Sequence, residues 1–125
     1  MGFWAWLRGR KTDAQQPVDV DLKPQAQALC QVLKELIDLL DADGETHWRN
    51  WLAESLTDLE ANNLRGARHL QGAYGGMGSF SDLIVGQQMN EDGFEWAPGA
   101  AEANDKLDAL RSEAYTLAKA LLNTP

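Results

Sequence analysis

The chain is short of most of what catalysis, metal binding or membrane insertion draws on. Its 125 residues contain one cysteine, Cys30, and two histidines, His47 and His69. One thiol closes no internal disulfide and builds no multi-cysteine zinc site, and its lone use fits a reducing compartment. No apolar run approaches the roughly 18–20 residues of a membrane span. No lysine lies between Lys34 and Lys106. Basic charge is scarce altogether. With a formal net charge of −8, and with Arg8, Arg10 and Lys11 but no acid in residues 1–11, the rest of the chain carries −11. Such a body repels nucleic acid and attracts a basic protein surface.

What is present describes one small helical domain. Hydrophobic residues make up 44% of the chain, too many for disorder, and the length suits a single core. Residues 1–23 read as an aromatic and basic tip, "MGFWAWLRGRK", followed by a polar linker containing Pro17. The apolar part of the tip precedes its charges and is too short for a secretory signal. Trp6 stands where a myristoylation motif has Ser or Thr. Residues 3–11 either touch an anionic membrane surface weakly or fold their tryptophans against the body.

Residues 24–125 read as the domain. Leu29, Val32, Leu33, Leu36, Ile37 and Leu40 form a helical stripe that begins near Pro24 and stops at Gly44. A second helix, from about 45 to 61, places Trp48, Trp51, Leu52, Ser55, Leu56 and Leu59 on one arc. A short third helix, from about 63 to 73, is weakened by Gly66. The last, starting after Pro98 and running to about Leu122, repeats Ala103, Leu107, Leu110, Ala114, Leu117 and Leu121 as a packing seam. The expected fold is mostly α: three long helices and a short one, with a glycine-rich loop and a short irregular or hairpin insertion. For residues 82–96, strand and helix stay open. "LIV" and "GFEW" flanking the turn-like "NEDG" read as two short strands, whereas Ser79 and Asp82 resemble a capping pair opening a helical turn.

The glycine loop, "GAYGGMGSFSDLIV" at residues 72–85, invites a phosphate-binding reading. A dinucleotide fingerprint needs G-x-G-x-x-G between strand and helix; here Ser81 takes the third position and a helix precedes the loop. A Walker loop needs its lysine, and Arg68 is the nearest arginine in sequence. A close-packed turn with positive φ angles and a serine cap accounts for the same residues. The acids Asp41, Asp43 and Glu45 near His47 do not make a calcium loop, because Thr46 fills the EF-hand glycine position. Cys30 and Ser55 lie on core-facing arcs with no base nearby in sequence. No metal, cofactor or catalytic set is therefore expected, and a ligand-binding domain or enzyme built on the glycine loop ranks last.

The acidic surface remains. Asp38, Asp41, Asp43 and Glu45 cluster at one helix junction, Glu54 and Asp58 lie i,i+4 on the outward side of the second helix, and Glu91, Asp92 and Glu95 sit in the insertion. They read either as ordinary solvated charge or as a surface complementary to a basic partner.

"HWRNWLAESLTDLE", the glycine loop and "ANDKLDALRSEAYTLA" together resemble a poorly characterised group of small bacterial proteins. Its members share a W-x-x-W-L helix, a G-G-M-G-S-[FL]-x-D-L loop and a C-terminal N-x-x-L-x-x-L-x-x-x-x-Y helix. The resemblance covers roughly residues 45–120, and Gly75, Gly76, Met77, Gly78, Ser79, Phe80, Asp82 and Leu83 match the loop. Such proteins look like the immunity partners encoded with bacterial antagonism toxins. The resemblance implies a cytoplasmic, non-catalytic protein that binds and neutralises a cognate toxin by occluding a basic cleft. The alternative is a non-catalytic adaptor or chaperone-like module in a secretion or envelope process, held near the membrane by the tip.

Overall fold

The computed structural model describes residues 23–123; the aromatic and basic tip and its linker lie outside them. Among the described residues the chain folds as α1 (Lys23–Asp43), α2 (Thr46–Glu60), α3 (Arg65–Gln71), a 3-10 turn (Phe80–Asp82), a two-stranded hairpin of β1 (Gln87–Asn90) and β2 (Gly93–Trp96), and α4 (Ala100–Leu122). The fold is thus mostly α, with three long helices, one short helix and a hairpin insertion.

The helices follow from the apolar spacing. Leu29, Leu33, Leu36 and Leu40 of α1 are fully buried, as are Leu107 and Ala114 of α4, and these two long helices pack along each other. Each fully buried leucine contributes on the order of 1.5–3 kcal/mol through removal from water. Gly44 ends α1 with φ +77°, a conformation that glycine adopts without Cβ strain. Glu45 then caps α2, its Oε2 accepting from the Trp48 N–H at 2.9 Å. The α2–α3 corner rests on Gly66: a Cβ there would stand 2.5 Å from the Ser55 carbonyl and 2.8 Å from Leu59 Cγ. The residue that lowers the propensity of α3 is what lets it sit against α2.

The insertion resolves the open choice at residues 82–96. "LIV" is neither strand nor helix. Leu83 is half-buried, Ile84 exposed and Val85 buried. The strands are "QQMN" and "GFEW", antiparallel, with Met89 opposite Phe94 and Gln87 opposite Trp96. Gly86 (φ +83°) separates them from "LIV", and a Cβ on it would meet Ala100 Cβ at 2.6 Å.

Candidate functional site

The glycine loop is stapled to α4 from several directions. Phe80 is fully buried, 5.7 Å from the Trp48 ring and 5.6 Å from that of Tyr74. The Tyr74 hydroxyl donates to the Arg111 carbonyl at 2.6 Å, and burial pushes its proton affinity well above that of an ordinary tyrosine, with the nearby Arg111 opposing. The Arg111 guanidinium, 12% exposed, donates to the Phe80 carbonyl at 2.7 Å and the Leu83 carbonyl at 3.0 Å, and pairs with Asp108. Asn104 completes the staple. Its amide accepts from the Val85 N–H and donates to the Val85 and Ala100 carbonyls, all at 2.9 Å.

This arrangement speaks against a phosphate cradle at residues 78–83. An anion cradle needs backbone N–H groups turned outward and a cation beside them. Here every N–H from 78 to 83 is already donated. Gly78 gives to Asp82 Oδ2 at 2.8 Å, Ser81 gives to Ser79 Oγ at 3.2 Å, and Phe80 gives to the Ala73 carbonyl at 2.9 Å. The N–H groups of Ser79, Asp82 and Leu83 go to carbonyls within the loop. The charge inside the loop is the Asp82 carboxylate, and Arg111 is committed to carbonyls. Ser79 caps the turn as expected, but Asp82 reaches the Gly78 N–H rather than closing a capping box on Ser79. The loop presents Met77, 99% exposed, at its surface; Gly75 and Gly76 beside it are exposed too.

The nine acids do not form one surface. Asp38, Asp41, Asp43 and Glu45 lie at the α1–α2 junction, and Asp43 Oδ1 accepts from the Gly86 N–H at 2.8 Å, which sets the base of the hairpin beside that junction. Glu91, Asp92 and Glu95 lie on the hairpin itself, within about 13 Å of its base for four-residue strands. Glu54 and Asp58 instead face α3. Glu54 Oε2 is 3.6 Å from His69 Nε2, without hydrogen-bond geometry, and Asp58, half-buried rather than outward, pairs with Arg65 at 4.0 Å.

Several acids also have structural duties. Asp41 pairs with Arg49 at 2.9 Å, Glu45 is the α2 cap, and Glu95 accepts from Asn90 Nδ2 at 2.8 Å. Asp38, Glu91 and Asp92 have exposed side chains with no ion pair among the described residues. Exposed Glu102 and Asp105 of α4 join this end of the molecule, because Ala100 packs on Gly86.

Sequence reasoning missed the apolar half of the surface. Alternation along the strands puts Met89, Phe94 and Trp96 on one face of the hairpin, and no helix among the described residues covers it. Met89 is 77% exposed, Phe94 48% and Trp96 51%, with the two rings edge-to-face at 4.9 Å between centroids. The opposite face carries Gln88 and Glu95. The missed signal was "M-x-x-x-x-F-x-W" bracketing acidic "NEDG". It reads as a strand pair, but the sequence alone does not say that nothing packs on it. Among the described residues no group of three or more His, Cys, Asp and Glu is arranged to hold a metal ion, and no helix is long and apolar enough to cross a membrane. The tip at residues 3–11, with its expected membrane contact, lies outside the described residues.

Fold and surface together define a small, mostly helical protein with a projecting hairpin, apolar on one face and acidic around its base and tip. Residues 41–93 match a family model described as Domain of unknown function (DUF6966). The match takes in α2, α3, the glycine loop and β1 but stops short of α4. No curated protein and no solved structure matches the chain.

Proposed function

We propose that the protein is an immunity-type inhibitor, a cytoplasmic, non-catalytic binder that neutralises a cognate bacterial toxin by occlusion. The observation that carries this is the hairpin face. Met89, Phe94 and Trp96 offer aromatic and thioether anchors of the kind that dominate binding energy. Glu91, Asp92, Asp38, Glu102 and Asp105 around them supply a field that steers a basic cleft onto those anchors. Catalysis is not needed for such a role; a rigid body and an exposed, complementary surface are.

The acids at 41, 43 and 45 are poor sites for a charge-reversal test, because they hold the junction and the α2 cap. The informative pair is Glu91→Lys with Asp92→Lys. Co-expression with its cognate toxin should protect cells, and calorimetry should show tight binding. Phe94→Ala and Trp96→Ala should each weaken the complex by about 2 kcal/mol, roughly 30-fold. The lysine pair should slow association and lower its salt dependence. A toxin that kills regardless of co-expression would overturn the reading.

A further inference from the structure

The hairpin offers a backbone edge as well as an apolar face. The Ala97 N–H donates to the Gly86 carbonyl at 2.7 Å, and from there the register runs without a bulge to Asn90 and Gly93. Hydrogen-bonded and non-hydrogen-bonded pairs alternate along an antiparallel ladder. Counted from the Gly86–Ala97 pair, Gln88–Glu95 and Asn90–Gly93 are the hydrogen-bonded ones. The N–H and C=O groups of Phe94 and Trp96 therefore point away from β1. Among the described residues no third strand meets them, and residues 94–96 are exposed. An open edge of this kind is a template for another strand, and folded proteins ordinarily guard it with lysine, proline or a bulge. The strand β2 has none of these. Its one charge, Glu95, lies on the face opposite Phe94 and Trp96 and accepts from Asn90 Nδ2 at 2.8 Å.

The charges decide what kind of strand fits. Acid stands at both ends of β2, with Glu91 and Asp92 in the turn before it and Glu102 and Asp105 in α4 beyond the base. No lysine or arginine lies between Arg68 and Lys106. A second copy added antiparallel would set the acidic tip of one hairpin against the acidic base of the other, and like charges so placed oppose pairing. An extended segment with apolar residues at alternate positions and Lys or Arg at both ends meets Phe94 and Trp96 with the first and the acids with the second.

We infer that the β2 edge takes up such a segment of its partner by strand addition. The inference rests on the reading of the hairpin as the interaction surface and adds the form in which the partner is recognised. Main-chain hydrogen bonds to Phe94 and Trp96 hold the segment, and alternate side chains and basic ends select it.

The test uses the full chain and a short synthetic peptide of alternating valine and threonine with paired arginines at each end. Hydrogen exchange followed by NMR should show the outward amides of Phe94 and Trp96 slowed at least about tenfold by the peptide, with the amides of α1 unchanged. Only one alternate set of peptide nitrogens faces β2, so methylating that set should abolish the protection and methylating the other should leave it. Glutamates in place of the arginines should abolish it, and high salt should weaken it. Exchange at Phe94 and Trp96 that ignores the peptide would overturn the inference. So would equal protection by both methylated peptides, which assigns binding to the apolar face without a strand, or protection of Gln87 and Met89 instead, which moves the partner to β1. Protection that rises with protein concentration in the absence of peptide would assign the edge to a second copy. Cell protection is read separately: a protein that binds the peptide but protects no cell loses the toxin and keeps the edge, and the reverse result keeps the toxin and discards strand addition.

Discussion

Two irregular segments lie side by side between α3 and α4, and they treat their polar and apolar groups in opposite ways. The glycine loop at 72–85 turns Phe80 inward and donates its N–H groups from 78 to 83 within itself. Among the described residues the hairpin at 87–96 forms its sheet from its own two strands and leaves Met89, Phe94 and Trp96 exposed. Isolated two-stranded hairpins are marginal. This one is held at its base, where Gly86 donates to Asp43 and accepts from the Ala97 N–H at 2.7 Å. The contrast teaches that conspicuous composition and exposed apolar surface need not coincide. The segment richest in glycine is a joint, and the plainer segment beside it carries the surface.

Substitutions can break or sharpen that contrast. The largest expected effect is Phe80→Ala, which empties a fully buried site between Trp48, Tyr74 and Arg111. It should cost about 3–5 kcal/mol in urea unfolding. Arg111→Met keeps the stem and removes the donors to the Phe80 and Leu83 carbonyls. It should cost about 2 kcal/mol, and the amides of the loop should exchange faster than those of α1. The smallest effect is Phe94→Ser with Trp96→Ser, which should cost about 1 kcal/mol of unfolding free energy through loss of the edge-to-face pair while removing the exposed apolar face. A loss of several kcal/mol from that last pair would place the hairpin in the core and erase the distinction.

Much of the scaffold was legible because helical periodicity and burial coincide. The α1 stripe from Leu29 to Leu40 is buried throughout, and Leu107, Leu110, Ala114 and Leu121 of the α4 seam are buried too. Gly44 as a stop and Ser79 as a cap were legible as local chemistry. Arg111 was not. It lies 31 residues from Phe80 in sequence, so a search of neighbouring residues for a cation stops at Arg68. The acidic patch was legible as composition but not as a map, because ties such as Asp43 to Gly86 and Asp58 to Arg65 depend on how elements meet. The exposed apolar face escaped for the same reason. Alternation shows which residues share a side of a strand, but not whether a neighbour covers that side.

Gly86 has one more consequence. Its N–H, its carbonyl and its bare Cα are each committed, to Asp43, Ala97 and Ala100 respectively, so the segment from Gln87 to Trp96 is joined to the body at a closed clasp. A segment attached in that way is modular. Its length and side chains can be rewritten while the helices beneath keep their packing, and the clasp sets the boundary at which one protein of this design can be given the hairpin of another.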